Sequence, residues 1–255
     1  AASDVYKRQI AEHYGQHNAN VARAMHRLGL EATQAFEGGR ERIAQFLGAS
    51  RPEEVVALSN ASEALNLAAN TLGTRLGPRD EVVITIMEHH SNLVPWQLVC
   101  ERTGAKLRWF DITDDGQLDL DKAEREGLIN EHTKVVSLAL ASNVLGTINP
   151  VQRIAQWAHQ VGAVVVVDAS QAVPQMPVNV TELGADLLAF TGHKMLGPTG
   201  IGILWGRYDL LDDLPPFLGG GEMIEVVRMT GSTYAKPPHR FEAGTPPIAQ
   251  LTALA

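Results

Sequence analysis

The sequence predicts an α/β fold, a three-layer α/β/α sandwich built on a mixed sheet whose strands are mostly parallel. Short β-branched apolar runs alternate with segments of helical periodicity through most of the chain, and Ala163–Asp168 is the clearest run. Polar residues also collect where the predicted strands end. Strands that alternate with helices pair in parallel, are covered on both faces, and bind ligands beyond their carboxyl ends.

The elements follow one another at regular intervals. The predicted strands are Glu54–Ser59, Glu81–Met87, Lys106–Phe110, Lys134–Leu140, Ala163–Asp168, Ala185–Phe190 and Ile201–Trp205. The predicted helices are Ser62–Leu72, Asn92–Arg102 and Ile154–Val161. The polar region His17–Leu47 has a helical pattern and is expected to pack on the sheet or at a subunit contact. Pro215-Pro216 and Gly219–Gly221 indicate a loop-rich region.

The composition narrows the function classes. The chain has 255 residues, 45% of them hydrophobic and 20% charged, which is ordinary for a globular enzyme. A net charge of −8 without a basic run argues against a nucleic-acid surface. Neither a membrane span nor a signal peptide is predicted, so the expected location is cytoplasmic. Cys100 is the sole cysteine and is expected to be an inert helical residue.

Two charged residues follow neighbouring predicted strands. Asp168 ends the apolar run, and Lys194 follows the stretch Ala185–Phe190 within Thr191–Lys194. An amine and a carboxylate at adjacent strand ends are what pyridoxal 5'-phosphate (PLP) chemistry requires. The lysine forms the Schiff base and the aspartate keeps the pyridine nitrogen protonated. The alternative is an ordinary ion pair at the sheet edge.

Further polar residues are predicted to surround the same cofactor. Ser62 begins a helix whose N–H groups suit a phosphate, although it also suits a helix cap. His89 can stack on a planar ring and move protons, or it can be a surface histidine. Paired histidines can also bind a metal ion, but His89 and His90 have no evident third ligand, so a metal site is not predicted. Asn143 and Gln171 can reach the phenolic oxygen, and the alternative for Asn143 is a turn.

The remaining candidates lie toward the C-terminal end. Thr191 and His193 can hold a phosphate through charge-assisted hydrogen bonds, or form an ordinary polar loop. Thr245 with Gly244 can offer a hydroxyl and an N–H to a phosphate of the same or another subunit. Taken alone, that segment indicates only a turn.

These residues make the chain resemble the class V aminotransferases of PLP fold type I. Within that family it is most similar to the cysteine desulfurase and selenocysteine lyase group. The match extends from about Asn18 to the end. Five strings carry it in the order and spacing of the family: Met87–Gln97, Ser142–Thr147, Asp168–Val173, Gly192–Lys194 and Arg240–Pro246.

The resemblance implies a role for each candidate. Lys194 is the Schiff-base lysine, Asp168 holds the pyridinium, and His89 stacks on the ring and relays protons. Asn143 and Gln171 contact the phenolic oxygen. Phosphate is bound by three side chains, Ser62, Thr191 and His193. Thr245 is similar to a residue that reaches the phosphate of a neighbouring subunit, which implies a homodimer.

The implied reaction converts L-cysteine to L-alanine and leaves a persulfide on an enzyme cysteine, for iron–sulfur cluster assembly or another sulfur-acceptor protein. The family's nucleophilic cysteine lies in a C-terminal small domain that is expected to be absent here. Residues 1–17 are expected to be an incomplete N-terminal segment and residues 18–255 the PLP-binding large domain. The chain as given is therefore expected not to desulfurate cysteine.

Two other functions stay open on the same residues. One is a sister activity of the fold: an epimerase, a kynureninase-type hydrolase or an aminotransferase. The other is a non-catalytic protein that retains the fold, which the altered phosphate turn Asn60-Ala61-Ser62 favours slightly. No Gly-x-Gly-x-x-Gly follows the first strand, which argues against a Rossmann nucleotide-binding protein.

Overall fold

A computed structural model describes residues 2–21 and 26–255; residue 1 and residues 22–25 of the expected N-terminal segment and large domain lie outside the described residues. The chain divides into two compact units, one made of Ala1–Asn60 with Thr191–Ala255 and the other of Ala61–Phe190. The helices are α1 Ala2–Glu12, α2 Arg27–Leu47, α3 Ala61–Gly73, α4 His90–Thr103, α5 Leu120–Arg125, α6 Val151–Gln160, α7 Val180–Leu183, α8 Tyr208–Asp213 and α9 Ile248–Leu254. The strands are β1 Val55–Leu58, β2 Glu81–Thr85, β3 Lys106–Phe110, β4 Thr133–Ala139, β5 Val164–Asp168, β6 Leu187–Thr191, β7 Gly202–Gly206, β8 Ile224–Arg228 and β9 Gly231–Tyr234.

The unit Ala61–Phe190 contains a parallel sheet in the order β6-β5-β4-β2-β3. Its central strands β2, β4 and β5 are largely apolar, and Val165, Val166 and Val167 of β5 are fully buried. Helices α3 and α4 pack on each other, and α6 packs on β4 and β5. Because all these strands point the same way, their carboxyl ends lie along one edge of the sheet.

The other unit pairs β1 antiparallel with β7. Gly202 opens β7 where the backbone of Asn60 comes so close that a β-carbon would lie 2.1 Å from a carbonyl carbon. Only glycine allows this approach. Helices α2 and α9 also pack together, and β8 and β9 form a separate antiparallel hairpin.

The predicted α/β class with a mostly parallel mixed sheet is confirmed, and each predicted strand and helix is present within a few residues. Strand β2 ends at Thr85 rather than Met87, since a turn closed by Thr85 and Glu88 follows it. The helical region expected from His17 begins as an α-helix only at Arg27, after a π-helical segment His13–His17. No helix within residues 2–21 and 26–255 is long and apolar enough to cross a membrane.

Candidate functional site

Asp168 is the last residue of β5, and only 6% of it is exposed. One carboxylate oxygen, Oδ1, accepts a hydrogen bond from the Ser170 backbone N–H at 3.0 Å. In the described part of the chain the other oxygen accepts none. A buried carboxylate with an unused oxygen at the end of a parallel strand suits a cationic N–H donor.

His89 precedes α4 and caps its N-terminus. Its Nδ1 accepts a hydrogen bond from the Ser91 N–H at 3.1 Å, which assigns the proton of the neutral imidazole to Nε2. The Ser91 hydroxyl lies 3.1 Å from the same Nδ1 and 2.6 Å from the hydroxyl of Ser62. The structure thus joins two predicted site residues, His89 and Ser62, through a serine that the sequence analysis did not single out.

Ser62 lies in the first turn of α3, which begins at Ala61. It is therefore inside the helix and is not the residue that precedes it. Its hydroxyl is exposed and turned toward Ser91. The N-terminal turn of a 13-residue helix with an adjacent hydroxyl has the chemistry of an anion site.

Asn143 and Gln171 follow β4 and β5 at the same edge of the sheet. Asn143 is exposed and Gln171 half-buried, and neither side chain makes a hydrogen bond to another described residue. The turn that holds Asn143 is formed by Ser142, whose Oγ accepts from the N–H groups of Val144 and Leu145 at 3.3 and 3.1 Å. The amide of Asn143 is thus not used in the turn.

The segment Thr191–Lys194 belongs to the other unit and is tightly packed. Thr191 is buried, and its hydroxyl lies 3.0 Å from Nδ1 of the exposed His193. Gly192 has no room for a side chain, because a β-carbon would lie 2.6 Å from Cγ2 of Ile201. Sequence and sterics therefore place Lys194 at the end of a short 3-10 turn, Gly192–Lys194.

The Lys194 side chain is half-buried, and its amine makes no hydrogen bond or ion pair to a described residue. Leu196, two residues on, has a φ of 61° while 70% of it is exposed. A leucine in the left-handed region is strained, and such strain collects at functional turns. Thr245 is exposed on the loop between Phe241 and α9 and makes no hydrogen bond to the described residues.

Sequence reasoning missed the acid beside His89. Glu88 is buried, although the amino acid is usually exposed. It accepts hydrogen bonds from Thr85 and Asn92, each at 2.6 Å. The signal that could have found it is its position directly before His89 in the string Met87–Gln97.

Cys100 lies in α4 with 7% exposure, and burial raises the pKa of its thiol. The thiol is therefore protonated near neutral pH and a poor nucleophile. This agrees with the expectation that the cysteine is inert.

The parallel strands and the polar residues at their carboxyl ends agree with the predicted α/β class, and comparison with protein families identifies the class of protein. A model of the family "Aminotransferase class-V" matches residues 4–255, and the chain belongs to this family. Family membership implies PLP as cofactor. A buried carboxylate, an unpaired amine and exposed hydroxyls are a donor set that fits this group.

Similar proteins carry the name cysteine desulfurase. A probable cysteine desulfurase of Streptomyces coelicolor is 59% identical over 96% of this chain, and the cysteine desulfurase of Haloferax volcanii is 49% identical over 94%. The match spans 59% and 57% of the length of these relatives.

Solved structures give the same result. The apo structure of a cysteine desulfurase from Thermococcus onnurineus matches with a TM-score of 0.93 and 42% identity, over 98% of this chain and 62% of that one. The cysteine desulfurase CsdA of Escherichia coli matches with a TM-score of 0.90 and 35% identity, over 98% and 63%.

Proposed function

We propose that this chain carries the PLP-binding part of a cysteine desulfurase, which takes L-cysteine to L-alanine and passes the sulfur to an enzyme thiol. The supporting observation is that two oppositely charged groups are left without an ion pair in the described residues. Asp168 keeps a carboxylate oxygen unused, and Lys194 keeps its amine unused. Buried or half-buried charges normally find partners, so each of these unpaired charges points to a ligand.

Bound PLP would supply an aldehyde for attachment and a ring that stabilises negative charge at the substrate α-carbon. Lys194 would hold the cofactor through its amine and would move the proton at that carbon. Asp168 would accept a hydrogen bond from the ring nitrogen and keep it protonated. His89, with its proton on Nε2, would stack on the ring, donate that proton and take it back.

The other residues orient the cofactor. In this proposal Asn143 and Gln171 donate amide N–H groups to the phenolic oxygen. Ser62, Thr191 and His193 hold the phosphate, and the chain formed by Ser62, Ser91 and His89 keeps the imidazole in one orientation.

The proposal assigns the sulfur-accepting thiol to a part of a longer protein, because Cys100 is buried and protonated. Residues 18–255 are then the PLP-binding large domain. We further propose that two copies pair so that Thr245 reaches the phosphate of the second subunit, that a sulfur-acceptor protein takes the persulfide, and that the protein works in the cytoplasm.

The experiment is borohydride reduction of the chain mixed with PLP, followed by peptide mass mapping. We expect one reduced adduct, on Lys194, and its loss together with the yellow colour in Lys194→Ala. Lys236→Ala is the control, since Lys236 is an exposed lysine paired with Asp212 at 2.8 Å. The lysine assignment is wrong if Lys194→Ala keeps the same colour and adduct.

A further inference from the structure

A fully enclosed polar network lies next to the predicted site in the unit Ala61–Phe190. Its centre is the carboxyl group of Glu88. Oε1 accepts hydrogen bonds from the Thr85 hydroxyl at 2.6 Å and from the Ala139 N–H at 3.0 Å, and Oε2 accepts one from the Asn92 amide at 2.6 Å. These four residues come from the end of β2, the turn after it, the end of β4 and the first turn of α4.

The network continues through Asn92, which is completely buried. Its Oδ1 accepts from Nε1 of Trp96 at 3.2 Å and from the hydroxyl of Ser137 at 2.7 Å. Ser137 and Trp96 are also completely buried. Since no polar atom of Glu88 or Asn92 is left without a partner, the network is rigid rather than strained.

This network contacts the elements that carry two predicted ring-binding residues, Asp168 and His89. Ala139, whose N–H is bound by Glu88, is the register partner of Asp168 in the β4–β5 pair. The next N–H, that of Leu140, binds the backbone oxygen of Asp168 at 2.9 Å. On the other side, Glu88 is joined directly to His89, the cap of α4.

We propose that Glu88 is a positioning residue, which holds the strand end beside Asp168 and the first turn beside His89 in one fixed arrangement for the cofactor ring. This inference rests on the proposed function, because Asp168 and His89 are its ring-nitrogen and ring-stacking residues. Glu88 itself touches neither cofactor nor substrate and acts through these two residues.

The cost of keeping an acid here supports the proposal. Burial raises the pKa of Glu88 to about 7, the hydrogen bonds from Thr85, Asn92 and Ala139 oppose the rise, and the charge of Asp168 adds to it. An apolar residue of similar size would avoid this cost, so stability alone does not explain a carboxyl group at this place.

The test compares Glu88→Gln with the wild-type chain in PLP titrations followed by visible absorption across neutral pH. The amide cannot accept from all three donors, since its NH₂ faces either Asn92 or the Ala139 N–H. We expect the Kd for PLP to rise about tenfold and the pH midpoint of the absorption to shift. At metal sites, losing a residue that orients a metal ligand weakens binding by about this factor.

Glu54→Gln is the matched control. Glu54 is also buried and accepts hydrogen bonds from the Ser50 N–H at 3.0 Å and from Trp205 Nε1 at 3.1 Å, but it contacts no predicted site residue. We expect it to keep the wild-type Kd and pH midpoint. Wild-type values for both quantities in folded Glu88→Gln would overturn the proposal.

A double variant separates positioning from stability. In Glu88→Gln/Asn92→Asp the new aspartate accepts from the glutamine amide introduced in place of Glu88, from Trp96 and from Ser137, so every hydrogen bond of the network returns. We expect both the melting temperature and the Kd for PLP to recover. A double variant that melts like the wild type and still binds PLP as weakly as Glu88→Gln would contradict positioning.

A measurement without cofactor keeps this inference apart from the proposed function. If the wild-type chain forms no adduct at Lys194, the proposed function fails. The Glu88 proposal is then decided by the imidazole ¹⁵N shifts of His89 in the free chain. We expect Glu88→Gln to change them and Glu54→Gln to leave them unchanged; unchanged shifts in both overturn the proposal.

Discussion

Burial raises the pKa of the Glu88 carboxyl group and hydrogen bonds lower it, and the effect of burial is the larger. The result is a pKa near 7 in the folded chain, against an ordinary value of 4.5. Between these two values the folded chain holds a proton at Glu88 that the unfolded chain has lost. The free energy of unfolding must therefore depend on pH in this interval.

Because the pKa of Glu88 is raised in the folded chain, the free energy of unfolding falls as the pH rises. The contribution of Glu88 to stability is fully present below pH 4.5 and is lost as the pH rises through about 7. We predict that the wild-type chain loses roughly 3 kcal/mol through this group over the interval, at ~1.4 kcal/mol per pKa unit. Glu88→Gln should lack this loss, as measured by urea unfolding at several pH values. Parallel stability curves for the two proteins would count against the assignment.

At the scale of single elements, α2 shows how neighbouring glycines can have different functions. A β-carbon on Gly38 would meet no atom within 4 Å, whereas one on Gly39 would lie 3.3 Å from the backbone oxygen of Leu251 in α9. Gly39 therefore allows the two helices to approach closely. Gly38 only weakens the helix.

The two glycines form a matched pair of variants. We predict that Gly38→Ala raises the free energy of unfolding by up to ~1 kcal/mol, because alanine restricts the unfolded chain and favours the helix. Gly39→Ala should gain less or lose stability, since the Leu251 backbone has to move. Denaturant unfolding of both variants measures the difference, and an equal gain for both would show that α9 does not restrict Gly39.

Within each unit, contacts join residues that are far apart in sequence. In the unit made of residues 1–60 and 191–255, the buried Arg40 of α2 binds Glu242 at 2.7 Å and the backbone oxygen of Val55 in β1 at 2.6 Å. Glu242 also accepts from the Ala57 N–H at 2.7 Å. One ion pair therefore ties the segment after the hairpin to α2 and β1.

The Arg40–Glu242 ion pair predicts a second pH dependence of the free energy of unfolding, opposite in sign to that caused by Glu88. Burial would raise the pKa of Glu242, but Arg40 and the hydrogen bonds from His239, Arg40 and Ala57 lower it to about 2. Its contribution is present above pH 4.5 and is lost as the pH falls toward 2. We predict that Glu242→Gln costs about 3 kcal/mol at neutral pH, since Arg40 loses its buried counter-ion and keeps only the more exposed Glu37, which lies 2.9 Å from its Nε.

The measurement is urea unfolding of Glu242→Gln and wild type at neutral and acidic pH. The gap between them should narrow as the pH approaches 2. Asp111→Asn is the control, because Asp111 and its partner Lys122 are both more than a third exposed, so we expect its loss to leave the free energy of unfolding nearly unchanged. A pH-independent gap for Glu242→Gln would refute the coupling to Arg40.

Local sequence determined the α/β class, the positions of the main strands along the chain and the family. The β-branched run of β5 can be satisfied only inside a sheet, and the polar residues after it mark the carboxyl edge. The short helices α5 and α7 and the β8–β9 hairpin were not predicted, because such short elements have too little periodicity to be recognised.

Only the tertiary structure shows which polar residues near the strand ends hold secondary-structure elements together and which are left without partners for a ligand. The string Met87–Gln97 predicts a role for His89, but only folding brings Ala139 of β4 to Glu88. Arg240–Pro246 was interpreted as a turn that presents Thr245, and folding adds that Glu242 within it anchors α2 and β1. Sequence carries the chemistry of each residue, whereas burial and long-range partners, which set its charge and orientation, exist only once the chain has folded.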